Sequence, residues 1–249
     1  MNLIIEQGNT AVKVAVYDGG KMLISSVYKV FGWSGILPFL EQYPLKNGIL
    51  SSVTRLEKEW IDGLKERLDN FLVPDEWTKL PIEIRYRTPE TLGKDRIAAA
   101  TGANLLYPDR DVLVIDAGTA ITYEMVEAPG VYVGGNISPG MTTRFRALHH
   151  FTEKLPLVWE QEDIPLLGTT TESAIQAGVV NGIVWEMDGY IDAVRKKYPN
   201  VFVILTGGHS FYFKERLRNA VFAAINLALD GLNRILEYNI KEKNNVEKQ

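Results

Sequence analysis

Two carboxylates stand in the same local frame 110 residues apart. Ile4-Ile5-Glu6-Gln7-Gly8-Asn9-Thr10-Ala11-Val12-Lys13 is answered by Val114-Ile115-Asp116-Ala117-Gly118-Thr119-Ala120-Ile121-Thr122. Each copy is an apolar run, an acid, a spacer, a glycine, a small polar residue and a second apolar run. That order reads as strand, tight turn, strand, with the acid ending the first strand. Glycine in such a turn lets backbone amides approach an anion, and a neighbouring hydroxyl or amide adds donors. The carboxylate suits a bound cation or an ordered water. One copy alone is an ordinary hairpin with a polar turn. Two copies in one frame point to paired turns that would hold a metal-bound polyphosphate.

Other residues offer matching chemistry. Thr206-Gly207-Gly208 closes an apolar run and would let a nucleotide base or ribose lie against bare backbone. Lys13, on the strand leaving the first turn, is either a solvated strand lysine or a point charge reaching back to phosphate. Asp95 opens a helix beside Arg96. It is a helix-terminal dipole partner, or the group that accepts an alcohol proton while Arg96 holds an anionic substrate. Tyr86 ends a strand, either as partial core or as pocket lining. No Walker A pattern occurs, no kinase signature set, and no Gly-x-Gly-x-x-Gly after a strand. A bound nucleotide would therefore sit in a frame of duplicated β-turns.

Composition excludes several classes. The net charge of −4 argues against nucleic acid, and no basic stretch suggests a membrane surface. There is no cysteine, which removes disulfides, thiolate catalysis and zinc–thiolate sites. His149, His150 and His209 lack zinc spacing and read as folded-surface residues. The first strand begins with no basic region or long apolar segment before it, so a soluble, cytoplasmic protein is expected.

The elements that position these residues follow from periodicity. Residues 2–6, 11–17 and 21–28 read as antiparallel strands turning at Gly8 and at Gly19-Gly20. A helix follows near residues 35–40, a buried strand at 48–53, and a helix over 56–72 carrying Trp60, Leu64 and Leu68. Residues 73–82 are loop and 82–86 alternate like a strand. A helix spans Asp95 to Tyr107. The second pair of strands runs from Val112 to Glu127, with another at 131–133. Gly134-Gly135-Asn136-Ile137-Ser138-Pro139-Gly140 reads as a glycine-rich turn into a helix, Pro139 suiting its start. A long helix covers 171–198, a buried strand 201–205 and an amphipathic helix 217–237. The charged tail around 241–245 is expected to fray. The fold class is α/β with mixed sheets flanked by helices, in two related halves, 1–110 and 111–249.

At this point the motifs resemble those of the type III pantothenate kinases, in the acetate and sugar kinase, heat-shock 70 and actin superfamily. The family's Asp-x-Gly-Asn-Thr with a downstream lysine is matched by Glu6-Gln7-Gly8-Asn9-Thr10 and Lys13. Its Gly-x-Asp-Arg is Gly93-Lys94-Asp95-Arg96, and its Asp-x-Gly-Thr-Ala is residues 116–120. Its Gly-Gly-x-Ile-x-Pro-Gly is residues 134–140, and its Thr-Gly-Gly residues 206–208. The resemblance spans essentially the whole chain. It implies two ribonuclease-H-like halves with an ATP cleft between them, and phosphorylation of pantothenate at the start of coenzyme A biosynthesis. ATP with magnesium would be held by Glu6, Gln7, Gly8, Asn9, Thr10, Ala11, Val12, Lys13, Thr119, Gly207 and Gly208. Asp95 would be the base, and Tyr86, Gly93, Lys94, Asp95 and Arg96 would contact pantothenate. Asp116 would bind a monovalent cation, potassium or ammonium. Thr171 would reach pantothenate from the other subunit of a homodimer; as a residue it equally suits a plain helix N-cap. One departure stands out: Glu6 replaces the family's aspartate, keeping the charge and adding a methylene. Rival readings are another small-molecule kinase of the superfamily and a non-enzymatic accessory protein of the Bvg accessory factor type.

Overall fold

The computed structural model describes residues 1–30 and 32–246. In chain order its elements are Asn2–Gln7 (β1), Val12–Asp18 (β2), Lys21–Tyr28 (β3), Trp33–Gln42 (α1), Asn47–Ser52 (β4), Lys58–Arg67 (α2), Asn70–Leu72 (β5), Glu83–Ile84 (β6) and Lys94–Leu106 (α3). There follow Val112–Ala117 (β7), Ala120–Glu127 (β8), Val131–Pro139 (β9), Met141–His150 (α4), Thr171–Lys197 (α5), Phe202–Thr206 (β10), Ser210–Lys214 (α6), Phe222–Ala223 (β11) and Leu227–Val246 (α7). Two compact units result: residues 1–109, 126–134 and 226–249 form the first, and residues 110–125 and 135–225 the second. The repeat alone suggested a cut at 110. By packing, the C-terminal helix groups with the first unit.

In the first unit the sheet order is β3-β2-β1-β4-β5. β1 runs antiparallel to β2 and parallel to β4, so the expected hairpin start is joined to a parallel extension. Both faces of β1 are buried, which explains its unbroken apolar run. Leu3 and Ile5 pack with Ile36, Phe39, Trp60 and Leu64 of α1 and α2. Ile4, pointing the other way, packs with Ala98 and Ala100 of α3 and Leu232 and Ile235 of α7. The helix expected over 56–72 is shorter than its periodicity suggested. Leu68 is already extended (φ −115°, ψ 135°), and residues 70–72 become a parallel edge strand on β4.

On the second face, α3 and α7 approach backbone to backbone. A Cβ on Gly102 would lie 2.1 Å from the Leu227 carbonyl oxygen, and one on Gly231 only 1.9 Å from that of Ala98. The alanine-rich character of α3 therefore reflects close helix packing. The far end of α7 is tied to the sheet by a chain of amides. Asn70 donates to Asn47 at 2.9 Å, Asn47 to Asn2 at 2.8 Å, and Asn2 to Asn233 of α7 at 2.9 Å. Asn2, Asn47 and Asn70 stand opposite one another in register on adjacent strands. Lys243 adds a bond to Asn70 at 3.2 Å, and Glu242 pairs with Lys79 at 2.9 Å. These contacts keep residues 241–245 helical where fraying was expected.

The other sheet has the order β11-β10-β7-β8-β9-β6. Without β6 this is the same arrangement as in the first sheet, with β7 to β11 standing for β1 to β5. β10 runs parallel to β7 and β11 parallel to β10. β6 belongs to the first unit, where Glu83 and Ile84 pair with Val131 and Tyr132. Ile175, Val179, Ile183, Met187 and Ile191 form the buried stripe of α5. Two expectations are corrected here. Residues 134–139 continue β9, so Pro139 ends a strand and α4 begins after Gly140. The helix expected over 217–237 begins only at Leu227. The buried Asp188 carboxylate accepts the backbone N–H groups of Arg218 and Asn219, at 3.1 and 3.0 Å, and Phe222-Ala223 pairs with Ile204-Leu205. Those contacts draw residues 218–223 out of a helix.

Two outcomes follow from the first unit. Gly231→Ala forces Cβ into the α3 backbone and should lower the unfolding free energy by about 1–3 kcal/mol or more, read from urea midpoints. The Tyr17 hydroxyl donates to Asp230 at 2.7 Å, and burial pushes the Asp230 carboxyl above its ordinary 3.8 against the opposing effect of that bond. The folded protein thus keeps this proton where the unfolded chain has lost it. The associated stability is complete below the ordinary value and is lost as pH rises through the raised one. Asp230→Asn should therefore gain stability relative to wild type as pH rises above the ordinary carboxyl value of 3.8, as measured by denaturation at each pH.

Candidate active site

The first turn is built by the β1–β2 hairpin. The Gly8 N–H donates to the Ala11 carbonyl at 2.9 Å, which closes the turn and leaves Asn9 and Thr10 exposed. Glu6 and Lys13 are register partners across the two strands, and their side chains meet at 2.9 Å. Gln7 accepts from the Ser52 hydroxyl at 3.0 Å, and its carbonyl accepts the Val53 N–H at 3.1 Å. The turn is thus braced by the end of β4. Lys13 lies beside the acid of its own turn, a pairing that the spacing of four residues past Asn9 did not reveal.

At the start of α3, Asp95 accepts the Arg96 N–H at 2.9 Å through Oδ1, which orients its carboxylate. A Cβ on Gly93 would lie 2.4 Å from that same oxygen, so a side chain there would push the Asp95 carboxylate out of this position. Arg96 is buried and donates to the Tyr132 hydroxyl at 2.8 Å, with its guanidinium carbon 5.8 Å from the Tyr86 ring centre. Tyr86 and Tyr132 meet edge to face at 6.0 Å. The structure therefore brings Tyr86, Gly93, Asp95 and Arg96 together and adds Tyr132, which the sequence did not single out. Lys94 lines a cavity of about 300 Å³ with Pro74, Asp75, Leu80, Ile84 and Ile97.

In the second unit, the β7–β8 turn is closed by the Gly118 N–H bond to the Ala120 carbonyl at 3.0 Å. It is one residue shorter than the first, so the repeat is faithful at the acid and the glycine but not beyond. Thr206 pairs in register with Asp116. Gly207 follows at φ 89°, where a Cβ would sit 2.3 Å from Asp116 Oδ1 and 2.7 Å from the Ala117 backbone. The His209 N–H donates to the Ala117 carbonyl at 3.1 Å. The Thr-Gly-Gly segment thus lies directly against the acid turn, with backbone approach possible only for glycine. Gly140, at the start of α4, closes on the other side: its N–H donates to the Thr119 carbonyl at 3.0 Å, and Thr143 donates to that oxygen at 2.7 Å. Thr171 is the exposed first residue of α5. The N-cap is Thr170, whose side chain accepts the Ser173 N–H in a capping box, so Thr171 does not serve as the cap.

Among the described residues, no cluster of three acidic, histidine or cysteine side chains suits a metal ion. One carboxylate at each glycine turn suits a magnesium ion that would keep waters and take most of its remaining ligands from a nucleotide's phosphates. Among the described residues no helix is long and apolar enough to cross a membrane.

Two mixed sheets of one strand order, each with an acid-glycine turn at the end of its first strand, define the sugar-kinase and actin-like ATPase fold. A crystal structure from Sinorhizobium meliloti, named as a candidate 2-dehydro-3-deoxygalactonokinase, matches with a TM-score of 0.59 at 12% identity, covering 97% of this chain and 99% of that one. A Campylobacter jejuni protein described as a candidate Baf family transcriptional activator matches at 0.60 and 21% identity, over 96% of this chain and 99% of that one. Residues 2–193 match the family model for type III pantothenate kinase. A type III pantothenate kinase of Phocaeicola vulgatus is 47% identical over 246 residues, covering 97% of this chain and all of that protein. The chain belongs to the type III pantothenate kinase family.

The Gly207 contact yields a direct test. Gly207→Ala combines a strained φ, about 1–3 kcal/mol, with displacement of Asp116. ATP-dependent phosphoryl transfer should fall at least tenfold (roughly 1.4 kcal/mol) in a coupled ADP-release assay, while Gly208→Ala, whose Cβ meets nothing within 4 Å, should be far milder.

Proposed function

We propose that this protein transfers the γ-phosphoryl group of ATP to the hydroxyl of pantothenate, giving 4'-phosphopantothenate, the first step of coenzyme A biosynthesis. The observation that carries the reading is family membership across most of the chain, joined to the Gly93–Arg96 geometry. Asp95 is the base on the pantothenate hydroxyl, and the Arg96 N–H bond at 2.9 Å supports that role by orienting its carboxylate. Arg96, steadied by Tyr132 and Tyr86, receives the anionic end of the substrate, with Gly93, Lys94 and Tyr86 as further contacts. Residues 6–13, Thr119, Gly207 and Gly208 bind ATP. Glu6 would hold a magnesium ion through water, and that ion would supply charge neutralisation beside the transferring group.

The transition state of phosphoryl transfer is loose, so catalysis rests on positioning and charge neutralisation more than on proton abstraction. Asp116 binds potassium or ammonium at the second turn. The enzyme works as a cytoplasmic homodimer in which Thr171 reaches the partner's pantothenate; its exposure at the start of α5 supports that role. The two halves, 1–110 and 111–249, are duplicated ribonuclease-H-like folds, a reading supported by their matching strand orders.

The test is a coupled ATPase assay with and without pantothenate, in potassium and then in sodium buffer. Pantothenate-dependent ADP release that requires potassium is the expected result. No release over a range of magnesium and potassium would sink the assignment. Asp95→Asn should lower kcat about 10²–10⁴-fold with ATP binding retained; wild-type turnover in that variant would remove Asp95 from the mechanism.

A further inference from the structure

Outside the residues already given roles, one polar cluster converges on the second turn. Glu186, on α5, has a carboxylate held by three donors. The Tyr123 hydroxyl of β8 reaches Oε1 at 2.9 Å, and the Ser138 hydroxyl of β9 reaches Oε2 at 3.1 Å. Arg144 of α4 reaches Oε2 at 2.6 Å. Tyr123 is buried, and burial first, then its bond to Glu186, pushes its phenol well above the ordinary range. Arg144 uses the rest of its guanidinium on the strand end: Nε donates to the Pro139 carbonyl at 2.8 Å and Nη2 to the Ser138 hydroxyl at 3.0 Å. Its backbone N–H donates to the Gly140 carbonyl at 2.9 Å. With only 21% and 24% of their side chains exposed, Arg144 and Glu186 form a largely shielded pair, unlike most surface ion pairs.

The location gives the cluster its consequence. Arg144 grips the corner where β9 becomes α4, and that corner is what meets Thr119. Gly140 and Thr143 are the two donors to the Thr119 carbonyl, and the Gly140 Cα is so near that a Cβ would stand 2.2 Å from the Gly118 carbonyl oxygen. Two rows of backbone in such contact cannot shift independently. The guanidinium's fixed fork suits this task, since it bonds a carbonyl, a hydroxyl and a carboxylate in one plane, which a lysine cannot do.

We propose that Arg144 and Glu186 are positioning residues that set the Asp116–Thr119 turn for nucleotide binding by locking the Ser138–Gly140 corner against it. The proposal rests on the assignment of Thr119 as an ATP contact. Neither residue touches substrate; each acts through Gly140 and Thr143.

The experiment measures KM for ATP and for pantothenate separately in Arg144→Ala, Glu186→Gln and Thr119→Ala enzymes, with melting temperatures alongside. Glu186→Gln keeps shape and removes charge, so it remains readable if Arg144→Ala fails to fold. The expected result is a kcat/KM for ATP lowered roughly ten- to hundredfold in Arg144→Ala, and less in Glu186→Gln, with pantothenate KM unmoved. The Arg144→Ala/Glu186→Gln double variant should then lose no more than the worse single one, because the pair acts as a unit. A folded variant with wild-type ATP KM overturns the proposal. So does an equal rise in both KM values with a fall in melting temperature, which marks a merely structural role. If Thr119→Ala itself leaves ATP KM unchanged, the underlying assignment of Thr119 fails instead, and the proposal with it.

Discussion

The close approach of α3 to α7 is the constraint from which the placement of the proposed substrate site follows. Ala98 and Gly102 on one helix meet Leu227 and Gly231 on the other, with no room for a single added carbon at either glycine. Packing this tight leaves each helix little freedom to rotate or slide. α3 carries Asp95 and Arg96 in its first turn, so the placement of the proposed base depends on a helix that begins more than 120 residues later. α7 is held in its turn by the Tyr17–Asp230 bond and the Asn2–Asn233 amide chain. The polar contacts at both ends of α7 and the apolar packing between them serve one purpose, fixing the axis of α3.

The two acid-glycine turns show how a duplication diverges. Both end the first strand of a sheet with the same strand order, yet their surroundings differ. The first is braced by Ser52 and has a lysine across its hairpin, while the second is enclosed by Gly207 on one side and Gly140 on the other. The longer arm of Glu6 is accommodated by its contact with Lys13. Asp116 instead lies against Gly207, where a Cβ would stand 2.3 Å from its Oδ1.

Much of this was legible in the chain. The β-branched runs, the glycines and the helical stripes of α3 and α5 marked their elements closely, because each has one strong local period and a clear terminator. Legibility failed where tertiary contacts overrode local preference. Residues 70–72 carry on a helical pattern but pair with β4, residues 134–139 look like a glycine turn but extend β9, and residues 218–223 are drawn from a helix by Asp188. In the site, the acids and glycines were visible because their spacing repeats. Tyr132, Arg144 and Glu186 were not, since a tyrosine or an ion pair on separate elements leaves no periodic trace.

By itself, then, the sequence determined the kinds of chemistry available: carboxylates at glycine turns, an aspartate-arginine pair at a helix start, no thiol and no basic surface. These depend on residue type and short-range spacing, which the chain carries directly. Tertiary structure alone decided which groups meet. It set Arg96 against Tyr132, placed Lys94 on a cavity with Asp75 and Ile97, and brought both Gly207 and Gly140 to one acid turn. Contacts of that kind join residues far apart in the chain, and only the burial of a shared core fixes their distances.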